Sequence, residues 1–132
     1  IYPDWMKEVL YPYLEASGPE WFDVSTLEHW LHADQVSGLV NGKIIHEYQK
    51  EKNMLYGCIG LRDLEEIQKK GIAFFRKHFR GKAVFGLKSV VRNSDGDLLC
   101  PSLFEDGGGV VMHWYWLGGV FGSNNPVLRF AS

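Results

Sequence analysis

The sequence lacks an excess of charge of either sign and any apolar run long enough to cross a membrane. Its 132 residues carry 14 Lys and Arg against 16 Asp and Glu, which leaves a formal charge of −2. Binding of DNA or RNA usually depends on a clear basic excess. A transmembrane helix needs ~20 consecutive apolar residues. We therefore expect neither nucleic acid nor a membrane as a partner.

Cysteine is also scarce. Cys58 and Cys100 are the two cysteines of the sequence, which is too few for a disulfide framework, although a single bridge would use both. Free thiols in a reducing compartment are the simpler interpretation and predict a cytoplasmic protein. Because the sequence begins at Ile1 rather than Met, removal of a signal peptide stays open as an alternative.

Signals for cofactors and metals are weak. The triple glycine at residues 107–109 is not followed by the Lys-Ser or Lys-Thr of a phosphate-binding loop, so no nucleotide is predicted. His29 and His32 stand three residues apart on a predicted helix, with Asp34 close by. Nothing in the sequence supplies a specific third ligand of the kind that zinc sites need. We expect no cofactor and no metal.

Apolar and aromatic residues are abundant, at 45% and 14% of the chain, and suffice for the core of one domain over residues 1–132. Residues 109–119 form a β-branched and aromatic run between glycines, which predicts a strand. Alternation gives this strand two faces. The wholly apolar face, predicted to be buried, consists of Val110, Met112, Trp114 and Trp116. The opposite face carries the polar tips of His113 and Tyr115.

The N-terminal third is predicted to be helical. Asp4 is a suitable N-cap for a helix over residues 5–17, which Pro12 should kink. The pattern that starts at Ser25 is a capping box, so a second helix is predicted over residues 26–33.

Further along the chain the signals differ in strength. Asn41-Gly42 predicts a two-residue hairpin turn, with a short helix over residues 46–52 as the alternative. Apolar residues at three- and four-residue spacing predict one long helix over residues 61–79, which Gly81 ends.

The last fifty residues are predicted to be β-structure with short turns. The predicted strands cover residues 83–92, 98–104, 109–117 and 127–130, with turns at 93–96 and 105–109. Pro101 points to an edge strand or a bulge. The expected class is α+β, with N-terminal helices and one long central helix packed on a curved antiparallel sheet formed mainly by the C-terminal half. The core should join the wholly apolar face of the aromatic strand to Leu64, Ile67, Phe74 and Phe75.

This order of elements resembles the cone-shaped α+β fold of nuclear-transport-factor-2-like and SnoaL-like proteins. Residues 60–79 carry the likeness, together with residues 103–107 running into 111–116. The resemblance implies a cone that the long helix closes and the aromatic strand lines. It also implies a small hydrophobic ligand, and in some members isomerase, dehydratase or cyclase chemistry with Asp or His as acid–base groups. The chain departs from the family because few residues separate the helix from the aromatic strand.

The leading functional hypothesis is therefore an apolar pocket for a small molecule, with or without catalysis. Its expected catalytic residues are His113 and Asp97, with Glu105 as another acid–base candidate. The expected ligand-binding residues are Tyr115, Val111, Leu117, Phe85 and Phe75.

Two other hypotheses belong to different classes of protein. One is a protein-binding module, such as an immunity or regulatory protein, and a homodimer is among the expected assemblies. Its binding surface would be an aromatic patch, since Trp and Tyr are favoured interface residues. The aromatic residues concerned are Trp5, Tyr11, Tyr13, Trp21 and Trp30.

The other is a hydrolase that uses Cys58 and His113. Cys58 precedes the predicted long helix, where backbone amides and the helix dipole favour a thiolate, and His113 lies on a later strand. This order, with Gly-Asp-Leu at residues 96–98, resembles papain-like peptidoglycan hydrolases. The chain departs from that pattern because Arg62 and Asp63 follow the cysteine in place of an apolar helix.

Overall fold

The computed structural model describes residues 1–131 and has helices packed on a mixed β-sheet. The strands are β1 (Met6–Val9), β2 (Glu28–Trp30), β3 (Val40–Asn41), β4 (Val84–Phe85), β5 (Val91–Asn93), β6 (Leu98–Asp106), β7 (Gly109–Trp116), β8 (Val120–Phe121) and β9 (Val127–Arg129). The helices are α1 (Pro12–Glu15), α2 (Gly42–Glu51), α3 (Leu61–Lys69) and α4 (Ile72–Phe79). This confirms the α+β class, with the sheet mostly in the C-terminal half.

The main sheet is organised around β6. Its order is β1-β5-β6-β4-β9-β2, and β7 pairs with the other side of β6. Neighbouring strands are antiparallel except β4 and β9, which are parallel. The sheet is therefore mixed rather than purely antiparallel. Strands β3 and β8 form a separate small sheet.

Pro101 lies in the interior strand β6, so the expectation of an edge or a bulge is wrong. On that side of β6, the pairing with β5 ends at Leu99 and the pairing with β4 begins at Ser102. The proline nitrogen falls at the junction between them, where no ladder hydrogen bond is lost. The Pro101 carbonyl accepts a hydrogen bond from the Gly86 amide at 3.1 Å.

The turn between β6 and β7 occurs where the glycine run predicts it. Gly107 and Gly108 have φ of 58° and 78°, the pair of positive values that a type I′ hairpin turn requires. The resulting register places Ser102 opposite His113 and Asp106 opposite Gly109.

The predicted long helix over residues 61–79 is two helices. Gly71 has φ of 90° and precedes the first residue of α4, and a left-handed residue interrupts a right-handed helix. The apolar spacing is still correct on the inner face, since Leu64, Ile67 and Phe75 are fully buried there. Phe74 is only partly buried.

The two helices predicted for the N-terminal third do not form, and strands take much of their place. No helix covers residues 5–17 as predicted, because residues Met6–Val9 pair with β5 and α1 begins only at Pro12. Proline suits the first turn of a helix, where its missing amide hydrogen is not needed. The second predicted helix is also replaced, by a 3-10 turn at Val24–Thr26 and the strand β2.

Asn41 does not form a hairpin turn. Its side chain accepts a hydrogen bond from the Lys43 amide at 2.9 Å and thereby caps α2. The helical alternative is correct in kind, although the helix begins earlier than predicted.

The wholly apolar face of β7 is covered along only part of its length. Val110 and Met112 pack on the cluster formed by α3 and α4. Trp114 instead contacts Tyr2 and Trp5, with ring centroids 5.9 and 6.0 Å away. Trp116 is 61% exposed, so its predicted burial is wrong. Within residues 1–131, no helix has the length and apolarity that a membrane crossing requires.

Candidate functional site

The structure does not bring the expected catalytic pair together. His113 is exposed on β7 opposite Ser102. Asp97 is exposed ahead of the first residue of β6, and the stretch from Asp97 to Ser102 spans about 17 Å of extended chain. Glu105 is hydrogen-bonded to Arg76, and this contact lowers the pKa of the Glu105 carboxyl. None of the three has the geometry of a shared proton-transfer site.

The expected ligand-binding residues belong to the core. Leu117, Phe85 and Phe75 are at most 2% exposed, and Phe75 lies in a different cluster from the other two. The Tyr115 hydroxyl donates to the Val120 carbonyl at 3.0 Å. Val111 is half-buried on β7. These side chains stabilise the fold and do not converge on one pocket.

Cys58 is fully buried, and its Sγ donates to Gln49 Oε1 at 3.3 Å. Burial raises the pKa of the Cys58 thiol to about 11, which disfavours a thiolate. Cys58 forms a β-bridge with Arg129 in β9. Because β4 and β6 stand between β9 and β7, the thiol and His113 do not form a pair.

The two histidines considered as metal ligands have other contacts. His29 lies on β2, with Nδ1 at 2.9 Å from Lys82 Nζ, and His32 Nδ1 accepts from the Asp34 amide at 3.1 Å. They therefore do not share a helix face. No group of three His, Cys, Asp or Glu side chains within residues 1–131 is arranged to hold a metal ion.

The predicted aromatic patch is divided by the fold. Tyr11 is buried and its hydroxyl lies 2.7 Å from His46 Nε2, and Trp30 packs against Tyr48. The remaining members are exposed: Trp5 by 41%, Tyr13 by 71% and Trp21 by 81%.

A cleft at the start of α3 has a more unusual composition. It has a volume of about 350 Å³, and its walls include Tyr2, Glu15, Leu61, Lys88 and Ser89. The N-terminal segment forms one side, and the start of α3 together with the 3-10 turn Leu87–Ser89 forms the other. We call it the Lys88 cleft.

Lys88 is the unusual member because it is only 2% exposed. Within residues 1–131, no carboxylate oxygen lies within 4.0 Å of its Nζ. The ammonium group is 3.5 Å from Ser17 Oγ and lies 5.7 and 5.6 Å from the ring centroids of Tyr56 and Phe130. Desolvation lowers the pKa of Lys88, as expected for a buried cation.

The carboxylates of the cleft already have donors of their own. Asp63 accepts from the Gly60 amide at 2.9 Å, and Glu15 Oε2 accepts from the Tyr2 hydroxyl. Burial and the Glu15 carboxylate raise the pKa of Tyr2, so the phenol remains a donor. The second oxygen of Glu15, Oε1, is buried without a hydrogen-bond partner. The cleft thus has one buried cation that interacts with Asp63 and Glu15 only beyond ion-pair distance, and one buried carboxylate oxygen without a donor.

No sequence signal identified this cleft. Lys88 falls inside a predicted strand, and its partners Ser17, Tyr56 and Phe130 are far apart in the chain. Comparison of the chain with protein-family models, curated proteins and solved structures found no match. The resemblance to the cone fold therefore stays a prediction.

Proposed function

We propose that the protein binds a small organic acid in the Lys88 cleft and that the anionic group of this ligand, a carboxylate or a phosphate, pairs with Lys88. The observation that carries the proposal is the buried ammonium group without a carboxylate within 4.0 Å. A buried charge is costly unless it is paired and hydrogen-bonded. A bound anion supplies that pairing.

The rest of the cleft narrows the class of ligand. Leu61 and the Tyr2 ring provide apolar surface, and a volume of about 350 Å³ suits a small molecule. Glu15 Oε1 lacks a donor, and a hydroxyl or amine on the ligand would satisfy it. The proposed ligand is therefore a small hydroxy or amino acid. The proposed function is still that of a small-molecule binder, as expected from the sequence, but the proposed site is the Lys88 cleft and not the surroundings of His113.

Calorimetric titration and thermal shift with a panel of small hydroxy and amino acids test the proposal. The matched neutral amides serve as ligand controls. An acid that binds should raise the melting temperature of the wild type, because it binds only the folded state, and its amide should not. Lys88→Met, which keeps most of the unbranched stem and removes the charge, should weaken binding at least about tenfold, the loss expected when a charge-assisted contact is removed.

Lys69→Met is the matched control, since Lys69 is exposed on α3 and pairs with Glu66. It should bind the acid as the wild type does. Retention of the acid response in Lys88→Met would refute the role of Lys88. A panel in which no acid binds would refute the proposed function.

A second candidate function, the protein-binding module, is favoured by one observation. Strand β7 pairs with β6 along one side only in the described part of the chain, and Trp116 at its end is 61% exposed. Exposed sheet edges and aromatic side chains are common sites of protein association.

A further inference from the structure

The open side of β7 presents a defined set of backbone groups. In an antiparallel ladder, residues alternate between facing the partner strand and facing away from it. The Leu117 amide donates to the Leu98 carbonyl, so the odd-numbered residues of β7 face β6. Pro101, which lacks an amide hydrogen, stands opposite Trp114, as expected if Trp114 does not bond to β6 through its backbone. The even-numbered residues therefore direct their backbone groups outward.

Two of the four outward residues already use their carbonyl in a hydrogen bond within the chain. The Val110 carbonyl accepts from Gln68 Nε2 at 3.1 Å, and the Trp116 carbonyl accepts from the Gly119 amide at 3.0 Å. This leaves Met112 and Trp114, within residues 1–131, with both the N–H and the C=O directed outward and unpaired. These two residues flank His113 symmetrically.

We propose that β7 pairs with β7 of a second copy of the chain, antiparallel, about a twofold axis at His113. In this register, Met112 of each copy exchanges both hydrogen bonds with Trp114 of the other, so four bonds satisfy the N–H and C=O groups of these two residues in both copies. His113 then stands opposite its own counterpart in a non-hydrogen-bonded pair, with Cα atoms ~4.5 Å apart. Val111 stands opposite Tyr115.

The distribution of charge supports a second copy as the occupant. Strand β7 has no charged residue, and it lacks the lysine or proline that protects many edge strands from pairing. Asp106, the last residue of β6 before the turn to β7, is exposed. At the other end of the strand, Lys43 Cε lies 3.7 Å from the position a Cβ would take on Gly118. In the twofold register, the end of β7 next to Asp106 in one copy meets the end next to Gly118, and hence Lys43, in the other.

Cysteine cross-linking tests the register. His113→Cys should form a disulfide-linked dimer under mild oxidation, because Cα atoms ~4.5 Å apart are within disulfide range. Val111→Cys is the matched control and should not cross-link, since Tyr115 of the second copy stands opposite it. The native cysteines, Cys58 and Cys100, are fully buried and should not contribute.

Sedimentation of the unmodified chain should show a dimer whose population rises with concentration. A monomer at every concentration that the sample tolerates would overturn the proposal. Equal cross-linking of the two cysteine variants would overturn the register.

Charge reversal tests the orientation independently. Asp106→Lys and Lys43→Glu should each raise the dissociation constant several-fold, because each places like charges together twice per dimer. Combining the two substitutions should restore the affinity. Asp34→Lys, at an exposed position away from β7, is the control and should leave the constant unchanged. Failure of the double variant to recover would contradict the antiparallel twofold arrangement.

Discussion

At the scale of single residues, Lys88 is the side chain whose position works against stability. Its ammonium group is buried beside two aromatic rings and one hydroxyl, and these contacts replace only part of its hydration. The lowered pKa of Lys88 expresses the same cost, since desolvation favours the neutral amine. Residues that lower the stability of the free protein and become paired when a ligand binds are typical of binding sites.

We therefore expect Lys88→Met to be more stable than the wild type at pH 7, by about 1–2 kcal/mol. The difference should shrink as the pH rises. The folded-state pKa of Lys88 lies below the ordinary value of 10.5. Between these two pKa values the unfolded chain therefore holds a proton that the folded chain has lost, and the stability of the wild type rises.

Urea denaturation of both proteins between pH 7 and 10 measures this difference. Ionisation of Tyr2, whose pKa is raised, acts in the opposite direction but is common to both proteins. Lys69→Met should match the wild type throughout. A destabilised Lys88→Met would instead assign Lys88 a structural role.

The direction of each β7 side chain could be predicted from the sequence, but the surroundings of His113 and Lys88 could not. Alternation along residues 109–117 correctly separates His113 and Tyr115 from Trp114, because side-chain direction in a strand is local. Which face is covered depends on elements distant in the chain, so the pocket beside His113 does not follow from alternation. The surroundings of Lys88 come from three such elements, and no local pattern distinguishes this lysine from an exposed one.

At the scale of elements, the hairpin of β6 and β7 depends on two glycines. Gly107 and Gly108 have positive φ, where a side chain costs roughly 1–2 kcal/mol. Gly107→Ala and Gly108→Ala should each lower the free energy of unfolding by about that amount. Gly109→Ala is the matched control, because an added Cβ there meets its nearest atom at an ordinary 3.8 Å.

Urea denaturation of the three variants measures these costs. Equal stability of the Gly107 and Gly109 variants would contradict the type I′ turn and the register that it sets.

Elements with strong local signals were predictable. The glycine-bounded strand, the turns at residues 93–96 and 105–109, and the apolar spacing of residues 61–79 all depend on neighbouring residues. Segments with weak signals take the structure that their partners impose. Residues 6–9 become a strand because β5 pairs with them, although Asp4 resembles a helix cap. Gly71 fits the helical spacing, and only its backbone conformation shows that the helix ends there.

At the scale of the whole molecule, the core consists of two clusters of buried residues. Cys58 and Cys100 belong to the same cluster and are both fully buried. Yet they come from different parts of the structure, since Cys58 follows the 3-10 turn Leu55–Gly57 and Cys100 lies within β6. Their reactivity therefore reports whether this cluster opens as one unit.

Both thiols should be unreactive toward a disulfide reagent in the native protein. Burial raises the pKa of Cys58 to about 11 and raises the pKa of Cys100 as well, and the thiolate is the reactive form. If the cluster unfolds cooperatively, labelling of each cysteine in rising urea should give the same opening free energy, equal to that of global unfolding. Ser123→Cys, at an exposed position, should label at once and serves as the positive control. Labelling of Cys58 well before Cys100 would show that the segment between α2 and α3 opens independently of the sheet.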